Sequence, residues 1–226
     1  MCGRFALKES FKDLSEYFQL TGELDFSHSW NIAPSSHICS ITSDKYGNRH
    51  LHKMRWGLIP SWANDAKIGY KLANARGETV AEKPSFRSAF KYRRCLIPAS
   101  GFYEWKTENG IKHPWYVSHR SGSPLAFAGL WERWHPQDSE PIESCCIITT
   151  AANSLMEPIH DRMPVILNPD QWTIWLSPLE QQTARQLQMI QPYESDSLQV
   201  WPVTRELNRV GLRDDAGLIE VLPNIA

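Results

Sequence analysis

The chain has 226 residues, of which 42% are hydrophobic and 22% charged, and its 24 Lys and Arg nearly cancel its 25 Asp and Glu. That balance excludes a disordered tail, a coiled coil and a polycationic nucleic-acid coat. No apolar run reaches the roughly 20 residues of a membrane span, and Met1-Cys2-Gly3-Arg4 lacks the apolar core of a signal peptide, which points to a cytoplasmic protein.

A chain of this length buries roughly 70% of its extended surface, so it needs neither metal nor disulfide for stability. Cys2, Cys39, Cys95, Cys145 and Cys146 are odd in number and contain no CxxC pair. The expectation is a set of reduced thiols, without a zinc site or a disulfide framework. Ten tryptophans are unusual. Most should be core, yet some could serve as platforms for stacked bases.

Taken in chain order, Gly3–Leu7 reads as a strand. Phe11, Leu14 and Phe18 recur at helical spacing behind a possible Ser10 cap. Ile38–Thr42 and Arg49–Leu58 read as strands around the turn Lys45-Tyr46-Gly47-Asn48. Ser85–Tyr92 reads as a short helix before a strand at Cys95–Ile97. Phe102–Lys106 and Trp115–Ser118 flank Asn109-Gly110, the strongest hairpin signal in the chain. Leu125–Trp131, Cys145–Ala151, Pro164–Leu167 and Leu198–Val203 are further strands, and helices fit Asp170–Leu176 and Pro178–Ile190. With no repeat, linker or GxGxxG motif, the pattern predicts a single α+β domain over residues 1–226. Its sheets curl toward a barrel or sandwich, with helices packed outside.

Four residues could carry chemistry. Cys2, once Met1 is removed, presents an amine and a thiol on adjacent carbons, and such a pair condenses with an aldehyde to an imine and then a five-membered thiazolidine. On position alone the favoured reading is an ordinary small residue after the initiator Met. In Phe102-Tyr103-Glu104-Trp105, strand alternation puts Phe102 and Glu104 on one face, where aromatic surroundings would raise the carboxyl toward an acid/base range. The alternative is a solvent-facing Glu. His160, beside Asp161 and Arg162, suits proton transfer near an anion, although Asp161 could simply pair with Arg162. Asn74 can donate and accept at once, or it can merely form a turn. His50 and His52 share a strand face without a third ligand and read as surface. Arg4, Arg76 and Arg162 each lie within two residues of one of the four and could hold phosphates, but a net charge of −1 requires a local groove.

Together these segments resemble the SRAP family, the abasic-site processing proteins also called SOS-response-associated peptidases. The resemblance runs through Met1-Cys2-Gly3-Arg4-Phe5, Trp30-Asn31-Ile32-Ala33-Pro34, Trp56-Gly57-Leu58-Ile59-Pro60-Ser61-Trp62 and Asn74-Ala75-Arg76-Gly77-Glu78-Thr79. It continues through Arg94–Ala99, Gly101–Trp105, Phe127–Glu132, Thr149–Asn153 and Ile159–Pro164. It implies a barrel-like β core with a groove for single-stranded DNA, and no metal or cofactor. It further implies covalent capture of abasic sites, with a lyase-type activity and a peptidase-like, autocatalytic removal of Met1. Carried over by motif, Cys2 condenses with the ring-opened sugar, Asn74 orients it, and Glu104 and His160 move protons. Arg4, Arg76 and Arg162 contact phosphates with help from Thr149, and Trp62 stacks on a base. The basic contact after the Asn-Ala-Arg motif is Lys83 or Arg87. The implied partner is abasic single-stranded DNA bound by a monomer, with no membrane and no obligate protein partner. Two other readings stay open: an N-terminal-nucleophile cysteine amidohydrolase, and a non-catalytic module that binds single-stranded nucleic acid.

Overall fold

A computed structural model describes residues 2–137, 140–179, 183–209, 211 and 213–222. Local chemistry explains where its elements start. The chain opens with β1 (Phe5–Leu7) and α1 (Phe11–Phe18). Ser10 caps α1 by accepting the Asp13 N–H at 3.2 Å, while the Asp13 carboxylate accepts the Ser10 N–H at 3.1 Å, which is a complete capping box. Leu14 and Phe18 then fall on the buried face. Next come β2 (Leu20–Thr21), β3 (Ser29–Ile32), β4 (His37–Ser43) and β5 (Arg49–Trp56), the last two joined by a turn in which Gly47 has φ +90°.

The middle of the chain supplies β6 (Asn74–Arg76), α2 (Arg87–Tyr92), β7 (Arg94–Ala99), β8 (Gly101–Glu108) and β9 (Ile111–His119). Asn109 and Gly110 between β8 and β9 have φ +50° and +77°, the left-handed pair that a tight two-residue hairpin needs. Then follow β10 (Leu125–Trp134), β11 (Ile142–Ala151), β12 (Arg162–Pro164), α3 (Pro169–Leu176), α4 (Ala184–Gln188) and β13 (Leu198–Pro202). Pro169 opens α3 behind Asn168, whose N–H donates to the Gln171 side chain at 2.9 Å.

The strands β11, β10, β7, β4 and β5 pair in that order, and β5 returns to β11 through a parallel pairing of Arg55 with Ser144 and Trp56 with Cys145. The result is a closed five-stranded barrel. Closure leaves these five strands no free edge and turns one face of each inward. β2 and β12 flank the barrel, and β6 pairs with β11 just beyond the end of β5. A second sheet, ordered β13-β9-β8-β1-β3, packs one face on the barrel through Phe5, Phe102 and Val117. Its other face carries a smaller cluster of Ala6, Tyr103 and Tyr116. The architecture is therefore α+β around a β barrel, with few helices.

Buried tryptophans tie the layers through their N–H groups. Trp56 donates to the Ala73 carbonyl and Trp175 to the Cys95 carbonyl, both at 2.9 Å. Arg94, buried on β7, donates to the carbonyls of Phe90, Lys91, Trp175 and Ser177 at 2.6–2.7 Å. One guanidinium thus satisfies the carbonyl ends of both α2 and α3.

Several boundaries differ from expectation. The first strand begins at Phe5 rather than Gly3, and β5 stops at Trp56 because the Gly57 N–H turns to the Cys145 carbonyl at 2.8 Å. The helix expected over Pro178–Ile190 is helical only at Ala184–Gln188: Pro178 and Leu179 form a turn, and residues 180–182 lie outside the described part. The five cysteines are buried and unpaired. Among the described residues no helix is long and apolar enough to cross a membrane.

Candidate active site

The site is assembled by sheet register. β1 runs antiparallel to β8, with Phe5 opposite Phe102 and the Tyr103 N–H donating to the Arg4 carbonyl at 2.9 Å. This pairing lays Cys2 alongside Glu104. Cys2 is 0% exposed. Burial pushes its thiol well above the usual range and the Glu104 charge pushes it further, against the Arg4 N–H, which favours the thiolate. The sulfur is therefore held as a neutral thiol.

β6 delivers Asn74 from the barrel side. Parallel pairing sets Asn74 against Ile147 and Arg76 against Thr149. Ala75 points inward and is buried, so Asn74 and Arg76 face outward. Asn74 Nδ2 donates to the Cys2 carbonyl at 2.9 Å, which clamps the backbone of the residue whose chemistry is in question. Asn74 thus sits on a short strand, not in a turn.

Glu104 is 2% exposed, on the face it shares with buried Phe102. Burial raises its carboxyl above the ordinary range, opposed by the positive charge of the chain's amino terminus and of His160. The raised value has a sign for stability. The native state binds the proton more tightly than the unfolded chain, so the carboxyl's contribution is present at low pH and lost as pH rises through its folded value. Glu104→Gln should therefore raise the thermal midpoint at pH 8 relative to wild type, and the gain should shrink at pH 4. A gain that grows toward acid in paired melting curves would contradict this electrostatic picture.

His160 arrives from the loop after β11, where its N–H donates to the Met156 carbonyl at 2.9 Å. Its Nδ1 accepts the Arg162 N–H at 2.9 Å, an arrangement that places the proton of the neutral ring on Nε2. The same Nδ1 lies 3.0 Å from the Asp161 carboxylate. Asp161 does not pair with Arg162. The Arg162 guanidinium instead forks onto the Glu78 carboxylate, with Nη2 at 2.9 Å from Oε2 and Nη1 on Oε1. Nη2 also reaches the carbonyl and hydroxyl of Thr149, at 2.8 and 3.3 Å.

Cys2, Asn74, Glu104 and His160 are thus brought together, with Arg162, Thr149 and Arg76 on the adjoining strands. Arg76 is exposed, whereas Thr149 is buried and holds Arg162 from beneath. Arg4 is only 8% exposed and donates to the Asn31 side chain, whose amide in turn donates to the Arg213 carbonyl at 2.7 Å. Trp62 is 55% exposed, with its indole N–H on the Pro84 carbonyl at 3.3 Å. That contact places Trp62 beside Lys83, and both Lys83 and Arg87, one turn apart, are exposed. Sequence reasoning missed Glu78, Asn31 and Trp115, the last directly opposite Glu104 on β9. Glu78 and Asn31 lie inside recognisable motifs, but a carboxylate or amide gives no local hint of which distant arginine it will meet.

Among the described residues no three His, Cys, Asp or Glu side chains gather as a metal-ligand set. His52 lies 2.9 Å from the Thr42 hydroxyl and His50 lies 3.3 Å from Asp44.

Comparison with known proteins places the chain in a family. The family model for SOS response associated peptidase (SRAP) matches residues 1–210. The abasic site processing protein YoqW of Bacillus subtilis is 46% identical over 212 residues, covering 92% of this chain and 94% of that protein. The abasic site processing protein HMCES of Xenopus tropicalis is 35% identical over 200 residues, covering 75% of this chain and 60% of that protein. A solved structure from Bacteroides thetaiotaomicron shares the fold with a TM-score of 0.88 at 24% identity, over 98% of this chain and 100% of that one. Another, from Bordetella bronchiseptica, has a TM-score of 0.78 at 26% identity, over 90% and 100%. With its motifs gathered around one buried N-terminal cysteine, the chain belongs to the SRAP family, whose curated relatives are named abasic site processing proteins.

Proposed function

We propose that this protein captures abasic sites in single-stranded DNA by a covalent link to Cys2. The observation that carries the reading is the enclosure of Cys2 by three groups suited to carbonyl chemistry. Asn74 is bonded to its carbonyl, Glu104 is electrostatically coupled to its thiol, and His160 is coupled to Glu104. Removal of Met1, by the protein itself or by an aminopeptidase, frees the Cys2 amine. That amine adds to the aldehyde carbon of the ring-opened sugar, and the resulting carbinolamine loses water to give an imine. The sulfur then adds across the C=N bond, its proton passing to a nearby base, and the thiazolidine closes. The net change is condensation with loss of one water.

The environment supports this order of events. A thiol held neutral by burial and by Glu104 is a poor first nucleophile, so the nitrogen leads. A carboxyl raised by burial can then give a proton to the departing water and take one from the sulfur. Asn74 orients the sugar. Arg4, Arg76 and Arg162 serve the flanking phosphates, Thr149 supports Arg162, Trp62 stacks on a neighbouring base, and Lys83 or Arg87 extends the groove. We further take the protein to be a single-domain, cytoplasmic monomer.

Intact-mass measurement tests the reading. The protein alone should lack Met1. After mixing with a uracil-excised single strand, a denaturation-resistant species should appear at the summed mass less one water. Equal binding to intact and abasic strands with no covalent species would overturn the proposal in favour of a non-catalytic binding module.

A further inference from the structure

Asn74 Oδ1 and Trp115 Nε1 are among the polar atoms buried at this site without a hydrogen-bond partner. Each such atom forfeits its hydration with nothing in return, so native proteins keep few of them without a use. The two are complementary. Asn74 spends its Nδ2 on the Cys2 carbonyl and leaves a pure acceptor, whereas an indole N–H can only donate.

Sheet register puts Trp115 where it matters. Trp115 of β9 is the cross-strand partner of Glu104 of β8, so the two side chains rise from the same face with Cβ atoms about 5 Å apart. It is the barrel-facing side, since Phe102 and Val117 on that face are buried in the main core while Tyr103 and Tyr116 fill the opposite cluster. On its other flank Trp115 is paired with Pro202 of β13, whose ring offers no acceptor. A hydroxyl both accepts and donates, so one hydroxyl can serve both orphan atoms.

We propose that Trp115 is a substrate-contacting residue of the Cys2 site, donating its indole N–H to the oxygen on the condensing carbon while Asn74 Oδ1 accepts that hydroxyl's proton. The inference deepens the covalent reading and rests on it. When the Cys2 amine adds, the carbonyl π pair moves to oxygen, which takes a proton and becomes the carbinol hydroxyl. Nitrogen's lone pair then expels that oxygen, protonated, as water, and the sulfur later closes the ring with no change of oxidation state. A donor fixed on the oxygen stabilises the charge it gathers in addition and again as it departs. A base-bearing nucleotide has a glycosidic nitrogen at this carbon and offers no such hydroxyl.

The test is Trp115→Phe, read as a split between rate and affinity. Single-turnover crosslinking at saturating uracil-excised strand should slow about tenfold, the size of one lost neutral donor. Affinity for a strand carrying a tetrahydrofuran analogue, which lacks the hydroxyl, should stay at the wild-type value. Because phenylalanine is smaller, β-(3-benzothienyl)alanine placed at position 115 provides a second variant that keeps the bicyclic shape and replaces N–H with sulfur. It should show the same slow rate at the wild-type melting temperature. Wild-type crosslinking rate in the benzothienyl variant overturns the proposal, as does an equal loss of rate and tetrahydrofuran affinity in Trp115→Phe. The two readings fail separately. If wild type forms no adduct the covalent mechanism falls, whereas full-speed crosslinking by both variants removes only the role of Trp115.

Discussion

Cys2→Ala should abolish the denaturation-resistant DNA adduct. The substitution keeps an N-terminal amine and so leaves imine formation open, but an imine hydrolyses once the complex is denatured. Cys2→Ser should behave alike in a denaturing gel while keeping some borohydride-trappable product, because its oxygen does not close the stable sulfur ring. The fold should survive both changes. Cys2 contributes one small side chain to a core that also holds Phe5, Trp56 and Phe127, so truncation to alanine removes a single buried atom, worth about 1 kcal/mol. A wild-type yield of heat-stable adduct from Cys2→Ala would end the thiazolidine mechanism.

Arg94→Ala should give a large loss of stability away from the site. The native guanidinium donates to four backbone carbonyls at the ends of α2 and α3, in a position with almost no solvent. Alanine leaves those acceptors stranded and opens a cavity, a combined cost of about 3–5 kcal/mol. For a chain of this size that corresponds to a fall in melting temperature of about 10 °C. Arg94→Lys should recover only part, since a single ammonium has three donors and cannot fork toward two helix ends. A drop of about 2 °C or less in Arg94→Ala would mean that water replaces the lost donors.

Much of this molecule is legible in its sequence where the cause is local. The α1 start follows from Ser10 and Asp13, three residues apart, and the β8–β9 hairpin follows from an Asn-Gly pair that tolerates positive φ. The assignment of Phe102 and Glu104 to one face needed only the period of a strand, and the structure agrees. The failures are of another kind. β3 (Ser29–Ile32) is half-buried at every position, so it shows no alternation to read. β6 is three residues long and exists only because β11 accepts it in parallel. Barrel closure depends on a pairing between Arg55-Trp56 and Ser144-Cys145, which no window of neighbouring residues contains. The site divides the same way. Its four candidate side chains were visible as motifs, but Trp115 looks like any strand aromatic until its register with Glu104 is known.

The antiparallel pairing of β1 with β8 also fixes a schedule. Phe5 waits for Phe102, so the Cys2 end cannot dock until about a hundred further residues have emerged, some 5–20 s at ordinary translation speeds. Throughout that interval Cys2 is a water-exposed thiol on an open chain, free of the burial and the Glu104 charge that later quiet it. Its thiol is thus more open to oxidants in the nascent polypeptide than in the finished fold, and β8 is the segment whose arrival ends the exposure.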